Sequence, residues 1–172
     1  MAGMGTYSKI EGFAFLPITS FMMALTTFVS QNRGAKEYER ARKGARFGLV
    51  CSVSLAETIG LLIALFVTPL MRLFVDDPQV IQYGVERAHY ATILFFMLAY
   101  SHGVSAVLRG VGKSVIPMVV MLVCWCLVRV TLLTMLNMLF HNILFVYLIY
   151  PFTWSLSSIV FFLYYRKINW QE

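Results

Sequence analysis

Five apolar stretches of about twenty residues each, joined by short polar links, leave this chain few ways to fold. At 1.5 Å per residue, a helix of that length crosses the roughly 30 Å hydrocarbon core of a bilayer. Irregular backbone would leave its N–H and C=O groups unpaired in lipid, so these stretches must be helical. The spans read as residues 7–31, 47–71, 88–108, 115–139 and 143–165. The first is free of charge from Phe13 onward, the second is interrupted only by Glu57, and the fourth contains Arg129. Pro17 would kink the first helix, which a membrane bundle tolerates where neighbours satisfy the freed backbone groups. The expected fold is all-α: one polytopic membrane bundle over residues 1–172 with five transmembrane helices. Composition agrees, since only 13% of residues are charged, about half the fraction of a soluble domain.

The opening "MAGMGTYSKIEG" sets one Lys near one Glu and has no small-residue cleavage pattern, so the first helix is expected to direct insertion itself. Cys51, Cys124 and Cys126 all fall inside apolar runs, an odd set that makes no disulfide framework. In the link "RLFVDDPQVIQYGVER", Asp77 followed by Pro78 reads as an N-cap and a first helical position, predicting a short interfacial helix.

Lys and Arg are unequally shared between the two sides. One side receives Arg33, Lys36, Arg40, Arg42, Lys43 and Arg46 in the linker 32–46, then Arg109, Lys113, Arg166 and Lys167; the other receives Lys9, Arg72 and Arg87. The "FHNI" turn adds none. Ten against three places the linker and the C-terminus in the cytoplasm of a cell, and by extension of a bacterial inner membrane. The linker is expected to lie as an amphipathic helix on the cytoplasmic surface, where it favours anionic lipid. It is not read as a nucleic-acid site, because no RNP-like, zinc or helix-turn-helix pattern accompanies it.

Charged groups inside spans are expensive, about 3 kcal/mol each on insertion scales, and call for partners. Glu57 heads a polar stripe with Cys51, Ser54 and Thr58. Counted from the cytoplasmic starts of their helices, Glu57 and Arg129 differ in depth by roughly 6 Å, so a structural ion pair between them is expected in preference to an ion-coupling role for Glu57. His102, Ser105 and Arg109 form a second stripe. A proton relay is the functional reading of His102, and a hydrogen bond to a backbone carbonyl is the ordinary one. Thr19 and Thr26 share a face of the first span, where hydroxyls serve as helix-packing glue.

No catalytic centre or metal site is legible, and the chain is not read as an enzyme. Cys124 and Cys126 in "CWC" point to nearly opposite sides of a helix. "RGVGKS" is too short for a phosphate loop, and no HExxH or GxSxG occurs.

"ALTTFVSQNRGAKEYERARKGARFG" and "VLRGVGKSVIPMVVML" resemble the C-terminal half of the multidrug and toxic compound extrusion (MATE) family. The matching positions are Gln31, Asn32, Gly34, Ala35, Arg40 and Ala41, then Leu108, Arg109, Gly110, Gly112, Lys113 and Pro117; "DDPQVI" is similar to the family's entry into the next helix. The resemblance covers nearly the whole chain and makes its spans the equivalents of helices eight to twelve. It implies one part of a secondary transporter with two six-helix lobes, which exports small organic, often cationic, compounds by alternating access driven by Na⁺ or H⁺. No other cofactor is implied. The N-terminal lobe and the seventh helix are not matched, so a missing lobe or a partner membrane subunit is expected. Lipid-linked sugar flippases of the same broad fold, expected to have basic cavities, and a non-transporting membrane anchor or assembly subunit are the alternatives. Gly34 is expected to cap the first span, while Gly110 and Gly112 permit the turn before Pro117.

Overall fold

The computed structural model describes residues 2–140 and 143–170, with side chains described for 5–139 and 145–170. All its regular elements are helices: α1 (Ala2–Gly34), α2 (Tyr38–Arg72), α3 (Pro78–Thr92), α4 (Phe95–Gly110), α5 (Val115–Met121), a π-helical segment (Leu122–Val128), α6 (Arg129–Phe140) and α7 (Ile143–Arg166). Of the expected "FHNI" turn, His141 and Asn142 lie outside the described residues. Four helical stretches are long and apolar enough to cross a membrane, and α3 with α4 makes a fifth if that bent pair is one span. The chain is therefore a multi-pass membrane protein.

α4 is the central element, packed against α1, α2 and α7. It buries nearly every residue from Leu98 to Leu108, because most of them are small: Ala99, Ser101, Gly103, Ser105 and Ala106 let three neighbours approach. α2 answers with its own stripe of Ala41, Ala45, Gly48, Ser52, Ala56 and Gly60, all buried. A Cβ on Gly110 would lie 2.8 Å from both the Thr26 carbonyl oxygen and Val29 Cβ, so α1 and α4 touch there through a bare glycine. Beside that contact, the Thr26 hydroxyl donates to the Ala106 carbonyl at 3.1 Å.

Two elements differ from the sequence reading. The linker 32–46 is no separate surface helix; its residues from Tyr38 onward are the first turns of α2, since nothing between Tyr38 and Phe47 breaks a helix except Gly44, which is tolerated. The stretch 88–108 is not one straight span: α3 and α4 meet at an angle of 56° across Ile93 and Leu94. There the Thr92 hydroxyl bonds the Ala88 carbonyl at 2.9 Å, the local back-bonding that bends helices. α3 starts at Pro78, with the Asp77 side chain accepting from the Gln79 N–H.

Both turns at the basic end close in the same way. Lys36 N–H donates to Arg33 O at 2.9 Å and Glu37 N–H to Asn32 O at 2.8 Å; Gly112 N–H donates to Arg109 O and Lys113 N–H to Leu108 O, each at 2.9 Å. These are Schellman closures, whose left-handed residues are Gly112 (φ 83°) and Lys36 (φ 61°). Gly34, expected to be the capping glycine, is simply the last residue of α1. The Arg33 guanidinium bonds the Val111 carbonyl and ties the two turns together.

Candidate functional site in the bundle

Away from the basic turns, α1, α4, the π segment, α6 and α7 surround a cavity of about 250 Å³, lined by Ser8, Glu11, Phe15, Leu98, Trp125, Arg129, Tyr150 and Trp154 among others. α1 delivers Glu11 there because its apolar face, Tyr7, Ile10, Ile18 and Met22, is packed into the bundle. α3 supplies Arg87, whose guanidinium lies 3.5 Å from Glu11 Oε2, with the two side chains only 7% and 19% exposed. Arg87 also donates to Ser8 Oγ at 3.1 Å and lies over the rings of Tyr7 and Tyr150 at 5.3 and 4.9 Å.

Arg129 also lies over Tyr150. Its guanidinium carbon is 4.6 Å from that ring and 5.1 Å from the Trp125 ring. Its Nε and one Nη donate to Thr153 Oγ1 at 3.1 and 2.6 Å. Among the described residues no carboxylate lies within ion-pair distance of it. Trp125 is itself held by its indole N–H donating to Ser157 Oγ at 3.2 Å. That serine belongs to a buried hydroxyl cluster in which Ser101 Oγ lies 2.9 Å from Ser157 Oγ and 2.8 Å from Ser158 Oγ. Trp125 sits in the π-helical segment and Arg129 directly follows it; such segments occur frequently at functional sites.

The expected Glu57–Arg129 pair does not form. Arg129 is satisfied by Thr153, while Glu57 is half-buried with Oε2 shielded from solvent and unpartnered. Counting residues from helix starts gave depth but not direction, and the π segment resets the direction of Arg129. The stripe mates of Glu57, Ser54 and Thr58, are exposed on α2.

His102 stands beside the cavity, its ring edge-on to Phe15 at 4.8 Å and Trp125 at 5.1 Å. Its Nε2 and the Ser105 hydroxyl are buried without a partner, so the expected carbonyl bond is not made by Nε2. Arg109 is exposed and lines the wall of a different cavity, at the basic turns, with Arg33, Gly34, Gly110 and Gly112. Thr19 bonds the Leu16 carbonyl at 2.8 Å within its own helix, and Thr26 bonds across to α4 as described; neither lines the central cavity. Gln31 and Arg40 are exposed, Asn32 Nδ2 donates to Phe28 O at 2.7 Å, and Pro117 is buried in α5. Cys124 is buried and Cys126 exposed.

Glu11 and Arg87 were not singled out from sequence. Glu11 stands near Lys9 ahead of the charge-free run, and Arg87 reads as a charge outside the membrane. The available signal was Tyr7, Glu11, Phe15 and Ile18 at helical spacing, which puts the carboxylate on the face that α1 buries.

Chemically, a cation entering the cavity competes with Arg87 for the Glu11 carboxylate. Arg129 offers hydrogen bonds to a negative group, and Phe15, Trp125, Tyr150 and Trp154 present flat apolar walls.

A family model described as MatE matches residues 1–135. A Thermotoga maritima protein named "Probable multidrug resistance protein NorM" is 30% identical over 112 residues, covering 65% of this chain and 24% of that protein. A Bacillus subtilis protein named "Probable multidrug resistance protein YoeA" is 23% identical over 173 residues, covering 99% of this chain and 37% of that protein. The chain thus spans well under half the length of either relative.

Proposed function

From the premise that this chain belongs to the MatE family of membrane transporters, we propose that it forms part of a secondary exporter of small organic compounds, working by antiport with Na⁺ or H⁺ and by alternating access. Alternating access needs two bundles that rock about a site between them. Since the chain spans 37% of the relative it matches most completely, this bundle faces a second one, supplied by a further segment or by a partner membrane subunit. The assembly sits in the plasma membrane with the basic turns and the C-terminus cytoplasmic, as the ten-to-three bias of Lys and Arg favours.

The observation that carries the reading is that Glu11, on the wall of an aromatic cavity, is paired with Arg87. Glu11 is the coupling carboxylate. Arg87 holds it while the site is empty, and an incoming Na⁺ or proton neutralises it and frees Arg87 to move. An organic cation leaning on the Tyr150 and Trp125 rings would be released by the same competition. The test is substrate-driven Na⁺ or H⁺ counterflow in vesicles holding the complete transporter. Glu11→Gln is expected to abolish counterflow while retaining substrate binding, and wild-type counterflow in that variant would refute the assignment.

Arg129 supports a second reading. A cavity arginine with no carboxylate at ion-pair distance among the described residues suits an anionic ligand, which is the requirement of a lipid-linked sugar flippase. Binding of a phosphorylated polyprenol in preference to an organic cation would favour it.

A further inference from the structure

At the basic end, far from the Glu11 cavity, a pocket of about 340 Å³ opens between the start of α2 and the end of α7, lined by Arg42, Arg46, Tyr165, Arg166, Ile168 and Trp170. Three arginines from two helices, all of them exposed, line it. Among the described residues no carboxylate is in ion-pair contact with any of them; the ion pair formed nearby joins Lys43 to Glu39 at 2.6 Å, on an exposed part of α2. Like charges gathered without an anion repel one another, and a pocket between them gives that anion a place.

Two further observations point to a ligand. The Tyr165 hydroxyl is buried and turned towards Arg46 in the wall of the pocket. The chain after α7 also folds back, with Ile168 N–H on Tyr165 O at 3.3 Å, and sets Trp170 edge-on to Tyr165 with ring centroids 6.4 Å apart. A Tyr–Trp pair at the foot of a membrane helix belongs at headgroup depth. Directly on the membrane side are exposed apolar groups: Phe47 next to Arg46, and Phe162, whose ring lies 5.6 Å beneath the Arg166 guanidinium.

We infer that this pocket binds a phosphate group, and that its natural source is the headgroup of an anionic phospholipid. The three arginines and the Tyr165 hydroxyl hold the phosphate oxygens, Trp170 covers the glycerol region, and the acyl chains run along Phe47 and Phe162. Arginine suits this task because its planar fork meets two phosphate oxygens at once.

The inference is tested by native mass spectrometry of the protein released from nanodiscs containing equal phosphatidylglycerol and phosphatidylcholine. The expected result is a retained phosphatidylglycerol adduct. Arg42→Gln, Arg46→Gln and Arg166→Gln together should weaken it about 100-fold, at roughly fivefold per basic residue. Lys36→Gln, Arg40→Gln and Lys43→Gln together remove the same charge from the same end and should weaken it clearly less than the first triple variant. Trp170→Ala, at a position beyond the last turn of α7, should weaken it several-fold with helical circular dichroism unchanged. If inorganic phosphate alone forms an adduct that the first triple variant loses, while neither lipid is preferred, the phosphate site stands and its source is soluble. Equal losses in both triple variants, or none in either, would overturn the site.

Discussion

The Glu11–Arg87 contact can be put to a quantitative test. At 3.5 Å, and with an effective dielectric constant of about 20, two unit charges attract by about 5 kcal/mol. Glu11→Gln keeps the shape and an acceptor oxygen but removes the charge that faces Arg87, which is buried at 6% residue exposure. Breaking a buried pair from one side costs about 3–5 kcal/mol. The Ser8 bond and the Tyr7 and Tyr150 faces remain for Arg87, so the expected loss is at the low end, about 3 kcal/mol. Arg87→Gln should cost a similar amount, and the double variant about 2–3 kcal/mol less than the two single losses together. The assay is reversible unfolding of the purified protein in mixed micelles, titrated with a denaturing detergent and followed by helical circular dichroism. Glu57→Gln is the internal contrast. Its shielded carboxylate oxygen has no partner, so neutralising it should leave stability unchanged or raise it by up to about 1 kcal/mol. A coupling between Glu11 and Arg87 below about 0.5 kcal/mol would show that the two charges do not sense each other, and the ion-release reasoning would fall with it.

Other expectations follow from the packing and the turns. Gly110→Ala places a methyl 2.8 Å from the Thr26 carbonyl oxygen and Val29 Cβ, neither of which can rotate away, so the unfolding midpoint should drop by the equivalent of about 1–3 kcal/mol. Lys36→Gly relieves a left-handed non-glycine residue and should raise stability by up to about 1 kcal/mol, whereas Gly112→Ala should lower it by about as much, both read from the same titration. Arg129→Lys keeps the charge but loses the forked contact with Thr153 and the stacking on Trp125 and Tyr150. Ligand affinity measured on the complete transporter should fall about tenfold, and an unchanged affinity would remove Arg129 from the site.

How far the sequence could be read depended on whether a feature was local. Span composition, the Asp77–Pro78 helix start and the opposed directions of Cys124 and Cys126 follow from short-range rules, and each can be read from a few neighbouring letters. The ion-pair partners could not be read that way. Arg87 and Glu11 are separated by most of the first three helices, and their meeting depends on the bend between α3 and α4. Arg129 was legible as a costly intramembrane charge, but its partner Thr153 depends on a helix that runs as a π turn just before it. The linker misled because a charged stretch between apolar runs looks like a boundary, whereas Lys, Arg, Glu and Ala are strong helix formers that let α2 begin early.

The placement of the tryptophans has an optical consequence. The chain has three, and each lines one of two pockets: Trp125 and Trp154 the cavity with Glu11, and Trp170 the pocket with the three arginines. The indole emission of this protein therefore originates wholly from the walls of its two candidate binding sites. Trp170→Phe leaves a spectrum that belongs to the central cavity alone, and the difference from the unaltered protein belongs to the headgroup pocket. An unlabelled brominated ligand would thus announce by quenching which of the two chambers it entered.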